Sequence, residues 1–256
     1  MPRRSSATKS RCKLTSRLPG AVSFALAALT VGSQPVPRPV PVVVELFTSE
    51  GCSSCPPADA VLSKLAKEGT VGGAQVIPLG LHVTYWDQQG WKDPASLQAA
   101  TDRQQEYGRG VFGVDNVYTP QAVVDGRAQV VGSEESALRA AIAKAASEPH
   151  VSVRLTASEQ ADGVVAKIES DSVSGEGREP VQNIFFITED GLSSVVKRGE
   201  NGGRTLHNDA VVRRMTTSSA IGKLNPTWQR DRLHLTVIVQ GKKTHRIYGA
   251  ATTPLT

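Results

Sequence analysis

The run Val42-Val43-Val44-Glu45-Leu46-Phe47 leads through the turn Thr48-Ser49-Glu50-Gly51 into Cys52-Ser53-Ser54-Cys55 and then Pro56-Pro57-Ala58-Asp59. A short, nearly continuous apolar run rich in β-branched residues is the pattern of a strand buried on both faces of a parallel sheet. Proline fits the first turn of a helix, where its missing N–H has no partner to lose. A buried strand passing directly into a helix commits this region to an α/β arrangement. It also sets a cysteine pair at a helix N-terminus, where peptide dipoles and unpaired N–H groups stabilise a thiolate and lower its pKa.

The helix is expected to run to about Lys67, with Val61, Leu62 and Leu65 on its inner face and Gly69 as its stop. Gln75–Val83 reads as a second strand, and Asp93-Pro94-Ala95 opens a helical segment to about Tyr107. Gln121–Val124 and Ala128–Val131 flank Asp125-Gly126-Arg127 as a hairpin, and Ser133-Glu134-Glu135 starts a helix ending near Ala146. Beyond Pro149 the runs are short and separated by Gly, Asp, Asn and Ser: 151–157, 164–169, 184–189, 194–197, 210–216, 233–239 and 246–250. That texture suggests a β-sandwich. The expected fold is therefore an α/β thioredoxin-like domain, residues 42–149, followed by an all-β sandwich-like domain, residues 150–256.

Residues 1–33 form a separate problem. Arg3, Arg4, Lys9, Arg11, Lys13 and Arg17 precede the apolar stretch Ala21–Val31 and the small residues Gly32 and Ser33, the order of a secretory signal peptide. The apolar stretch, about 11 residues, is too short to cross ~30 Å of hydrocarbon as a helix. Residues 34–41, rich in proline, read as an extended spacer. The chain carries 29 basic and 24 acidic residues, so losing six basic ones turns a net charge of +5 into −1. The basic balance belongs to the leader and gives no argument for nucleic-acid binding. Export points to a periplasmic or secreted protein in an oxidising compartment.

Cys12 lies in the leader, which leaves Cys52 and Cys55 as the only thiols of the mature chain. So short a loop gains little as a covalent staple, because closing it removes little chain entropy. Zinc needs four ligands, usually a second C-x-x-C or a His pair at close spacing, and His82, His150, His207, His234 and His245 supply none. Two thiolates alone satisfy copper(I), with His82 as a conceivable third ligand, so a copper-binding or delivery protein stays an alternative. A non-catalytic adaptor is the other. The reading that best uses the residues is thiol–disulfide exchange without a cofactor. Its partners would be protein or small-molecule thiols and disulfides, a membrane-bound or periplasmic redox partner being an option.

The string Glu45–Asp59 resembles the opening of a bacterial secreted family classed only as a domain of unknown function, with a thioredoxin-like fold. The resemblance continues through His82-Val83, Tyr85-Trp86-Asp87, Gly90-Trp91-Lys92-Asp93-Pro94, Tyr118-Thr119-Pro120-Gln121, Arg198-Gly199-Glu200-Asn201 and Gly203-Arg204-Thr205-Leu206. Thr84 departs from it, since an Asp is expected there. The thioredoxin-like pattern implies that Cys52 attacks, that Cys55 resolves the mixed disulfide, and that Thr119 and a cis Pro120 face the pair and hold substrate backbone. It further implies that a buried acid in the first strand, Glu45, assists deprotonation. Trp86 and Tyr118, at the strand ends where α/β sheets bind ligands, are the expected substrate contacts. Arg198–Arg204 reads as a flexible turn.

Overall fold

A computed structural model describes Met1 and residues 39–173 and 179–255; the expected leader and most of the spacer lie outside the described residues. Strand β1 (Val40–Thr48) enters the turn that bears the cysteines, and α1 (Pro56–Glu68) follows with Cys55 as its N-cap. Pro56 and Pro57 occupy its first positions, and Gly69, at φ 65°, ends it by donating its N–H to the Leu65 carbonyl. Next come β2 (Thr70–Val71), β3 (Ala74–His82), α2 (Gln98–Tyr107), a π-helical turn (Gly108–Phe112), β4 (Gln121–Val124), β5 (Ala128–Val131) and α3 (Glu135–Ala146). The second half contributes β6 (Val153–Gln160), β7 (Gly163–Ser170), β8 (Val181–Glu189), β9 (Leu192–Val195) and β10 (Thr205–Asn208). It closes with β11 (Val211–Thr216), β12 (Ala220–Gly222), β13 (Leu233–Gly241) and β14 (Ile247–Pro254).

The helix at 93–107 begins later than its sequence suggests. Asp93 does not continue into a helix but turns its carboxylate onto the Ala95 N–H at 2.8 Å, and α2 starts at Gln98.

The expected sequence of a thioredoxin-like α/β domain and a separate sandwich is not what the chain forms. It is mostly β, and one mixed sheet of nine strands runs through both halves in the order β14-β13-β8-β11-β3-β1-β4-β5, with β2 beside β3. β1 pairs with β3 in parallel and with β4 antiparallel. The outer edge of β3 would otherwise leave a row of backbone groups unpaired. β11 covers it, joining in parallel where Val211 faces Gly80, and Gly80 N–H donates to the Ala210 carbonyl at 2.8 Å. β8, β13 and β14 then extend the sheet antiparallel. β6, β7 and β12 form a second, three-stranded sheet, and β9 and β10 a two-stranded one.

Burial follows this layering. Val42, Val44 and Leu46 of β1 pack with Ala58, Leu62 and Leu65 of α1 and Leu138 and Ile142 of α3. Val43 and Phe47, on the opposite face, join Ala100 and Tyr107 of α2. That second cluster includes Ile184, Phe186, Val212, Ile238 and Ile247, so the two halves of the chain share one core. Phe185, Leu235 and Val237 turn the other way, against Leu155, Val164 and Ile221 of the small sheet.

Candidate functional site

Cys52 and Cys55 are joined in a disulfide, with Cα atoms 5.4 Å apart. Both are 0 % exposed. The turn is held by Cys52 N–H to the Ser49 carbonyl and by Cys55 N–H to the Cys52 carbonyl, each at 3.2 Å. Two backbone N–H groups of α1, from Ala58 and Asp59, converge on the Cys55 carbonyl. The strand-to-helix geometry expected from the sequence thus places the pair directly before α1.

One wall comes from the segment before β4. The Thr119–Pro120 peptide is cis, and Thr119 Oγ1 lies 3.5 Å from Cys52 Sγ. Trp86 Nε1–H donates to the same hydroxyl oxygen at 2.8 Å, and that hydroxyl in turn donates to the sulfur. The Ser54 hydroxyl is the second polar neighbour of Cys52 Sγ, at 3.3 Å. The Tyr118 carbonyl accepts from Gln104 Nε2 at 2.8 Å, while its own ring remains exposed, as does that of Tyr85. Of the residues singled out in the sequence, Cys52, Cys55, Thr119, Pro120 and Trp86 are therefore brought together, and Tyr118 stands at their margin.

Glu45 sits elsewhere. Alternation along β1 turns it to the face of Val43 and Phe47, away from α1. There it is fully buried and takes two hydrogen bonds from the Arg103 guanidinium and one from Tyr107 Oη. Gln240 of β13 completes the network through Arg103 and Tyr107. The pairing with Glu45 raises the Arg103 pKa despite burial, and desolvation raises that of Tyr107.

Where β1 and β3 end lies a buried polar cluster, of which sequence reasoning singled out only His82, as a conceivable metal ligand. Asp59, one helical turn after Cys55, is buried and accepts a hydrogen bond from Thr48 Oγ1 at 2.7 Å. Burial pushes its carboxyl up to about 6, against the lowering influence of His82 and of the Thr48 bond. His82 and Asp93 pair at 2.7 Å. Burial opposes the charged imidazole, but Asp93 together with Asp59 and Glu50 outweighs it and raises the His82 pKa to about 9. Asp93 also accepts from the Glu50 N–H at 2.8 Å, and Glu50 accepts from Trp91 Nε1 at 2.9 Å. Desolvation first, then Asp93, raises the Glu50 pKa. Glu50 and Asp59 flank the cysteines in the sequence. Their signal was polar residues packed tightly around an otherwise apolar strand-to-helix junction.

The roof comes from the second half. The stretch read as a flexible turn is the tip of the β9–β10 hairpin, and it docks on the cysteine loop. Asn201 is fully buried and its Nδ2 donates to both the Glu50 and Cys52 carbonyls at 2.9 Å. Glu200 accepts the Ser53 N–H at 2.9 Å. Gly199, at φ 77°, passes Gln89 and Trp91 so closely that a Cβ there would lie 3.1 Å from the Gln89 carbonyl oxygen.

The solved structures similar to this chain add a frame. Protein AGR_C_4864 from Agrobacterium tumefaciens, in its crystal structure, is 26% identical, with a TM-score of 0.63, over 86% of this chain and 97% of that one. HBP35 of Porphyromonas gingivalis shares the fold at 15% identity and a TM-score of 0.61, over 84% of this chain and 75% of that one. No curated protein matches the chain. The model of one family, described as "Protein of unknown function (DUF1223)", matches residues 43–246, and the chain belongs to that family.

Proposed function

We propose that the protein is an exported thiol–disulfide oxidoreductase whose reacting pair is Cys52 and Cys55. The observation that carries the reading is the contact at sulfur: the Thr119 hydroxyl, which accepts from Trp86 Nε1, donates to Cys52 Sγ at 3.5 Å. A donor aimed at sulfur favours the thiolate over the thiol, and so does the start of α1. The oxidised pair stands as a disulfide, one of the two states such an enzyme alternates between.

In the reduced protein the Cys52 thiolate attacks one sulfur of a substrate disulfide. That bond breaks, the other substrate sulfur leaves as a thiolate, and a mixed disulfide to Cys52 forms. Cys55, as a thiolate, then attacks Cys52 Sγ and releases the second substrate thiol. Two electrons pass from the cysteine pair to the substrate, and the reverse order of steps oxidises a substrate dithiol. Thr119 and Pro120 hold the substrate backbone opposite the pair, and Trp86 with the exposed ring of Tyr118 borders it. Glu45, committed to Arg103, anchors α2 to the sheet in this scheme instead of moving a proton. The basic and apolar order of the leader supports a periplasmic or secreted location for this activity.

The test is the reduction of insulin disulfides by dithiothreitol in the presence of catalytic amounts of protein. Wild-type protein is expected to accelerate it, and Cys52→Ser to bring it back to the uncatalysed rate. A Cys52→Ser protein as fast as wild type sinks the assignment.

A further inference from the structure

The Cys52–Cys55 disulfide is sealed, and an attacking sulfur needs a path to Cys52 Sγ that no thiol finds at 0 % exposure. Some covering element must move. The Thr119 wall is continuous with β4, inside the nine-stranded sheet, and α1 is packed along its length on the core. The β9–β10 hairpin is different: among the described residues its two strands pair only with each other, and Val195 is 62% exposed. Its tip is tied to the cysteine loop by three hydrogen bonds, two from the Asn201 amide and one to the Glu200 carboxylate. All three end on backbone groups of Glu50, Cys52 and Ser53, the segment that carries the attacked sulfur.

We infer that the tip of this hairpin, Val196–Arg204, is a displaceable lid that gates the Cys52–Cys55 disulfide, latched by Asn201 and Glu200. With the lid closed the disulfide is protected from stray thiols; release of the latch uncovers the cysteine loop. The inference rests on the reading of Cys52–Cys55 as the reacting pair, but it concerns access and not turnover.

Dithiothreitol is the probe. One of its sulfurs attacks Cys52 Sγ, the Cys52–Cys55 bond breaks and Cys55 leaves as a thiolate. The second sulfur then closes the dithiothreitol ring and frees Cys52, so the protein gains the two electrons that dithiothreitol loses. The reduction rate of full-length protein is followed by thiol trapping. Glu200→Ala, at an exposed position, is expected to raise the rate roughly threefold, and Glu200→Ala with Asn201→Ala roughly tenfold, since each latch bond contributes modestly to closure. Both variants reduced at the wild-type rate would overturn the lid.

Should the double variant not fold, hydrogen exchange in the unaltered protein decides. The Ser53 amide, bonded only to Glu200, is expected to exchange through local opening far faster than the amides of β1 and β3. Exchange of Ser53 only by global unfolding sinks the proposal. Either failure leaves the oxidoreductase reading standing, because that reading is decided separately, by insulin reduction with wild-type protein and Cys52→Ser.

Discussion

Trp86 Nε1 and Thr119 Oγ1, 33 positions apart, meet at 2.8 Å, and the threonine hydroxyl lies against Cys52 Sγ. An unconstrained hydroxyl can donate or accept. One lone pair takes the indole N–H, and the hydroxyl donates to Cys52 Sγ at 3.5 Å. Two residues that the sequence marks separately, Trp86 as a substrate contact and Thr119 as facing the pair, thus meet in one hydrogen-bonded chain ending at sulfur.

Trp86→Phe keeps most of the packing and removes the indole donor. The Thr119 hydroxyl is then free to turn away, and the Cys52 thiolate of the reduced protein loses about 1 kcal/mol of hydrogen bonding, or somewhat under one pH unit. The pH dependence of iodoacetamide alkylation in reduced protein measures this. A midpoint equal to that of wild type contradicts the polarised contact.

Asp59 gives the protein a pH dependence of definite sign. Its folded pKa, about 6, stands above the ordinary value of 3.8, so the folded state binds this proton more tightly than the unfolded chain does. The resulting stabilisation is present below pH 4 and is lost as pH rises through 6. Asp59→Asn keeps an oxygen for the Thr48 hydroxyl and abolishes the titration. The variant should gain on wild type by on the order of 1–2 kcal/mol between pH 4.5 and 8, partly offset by weaker support for the His82 charge. Urea denaturation at the two pH values checks it; parallel pH profiles for the two proteins would be the contrary result.

The Glu45–Arg103 pair is fully buried, and removing one partner strands the other. Arg103→Met should cost about 3–5 kcal/mol, whereas Glu45→Leu with Arg103→Met should recover much of that loss. Reduction of the disulfide by dithiothreitol should be unaffected by Glu45→Gln, because Glu45 bonds to Arg103 and Tyr107 on the sheet face away from α1. A large change in that rate would return Glu45 to the redox site.

Gly126 probes the union of the two halves. It turns the β4–β5 hairpin at φ 68°, and a Cβ there would stand 2.0 Å from the carbonyl oxygen of His245, in the turn between β13 and β14. Gly126→Ala is therefore expected to cost about 2–3 kcal/mol, because both the backbone conformation and the neighbouring carbonyl resist it. Unaltered stability in chemical denaturation would mean the two turns do not meet.

A chain ended at Pro149 tests the same union from the other side. It would leave the β3 edge without β11 and the face of Val43, Phe47 and Tyr107 without Ile184, Phe186, Ile238 and Ile247. Such a fragment should aggregate or fail to give a cooperative transition. A soluble fragment unfolding in one sharp step would establish residues 42–149 as an independent domain.

The sequence by itself determined the local events around the cysteines. Val42–Phe47 had to be a buried strand, Pro56-Pro57 had to open a helix and Gly69 had to end it, because each depends on side chains within a few positions. The strands of the second half were also legible one by one, apart from β10 and β12, whose four and three residues show no period. Where those strands go was not legible. A β-branched run looks the same whether it builds a separate sandwich or extends an existing sheet, and only the free edge of β3 and the shared core around Phe47 and Phe186 decide. The same holds for the site. Cys52, Cys55, Thr119 and Trp86 announce themselves by residue type, but the hairpin tip that closes over them lies about 150 positions away, and Glu45 is drawn to Arg103 by a pairing that no local pattern encodes. Short-range chemistry writes itself into neighbouring residues, whereas long-range burial and charge pairing exist only once the chain has folded.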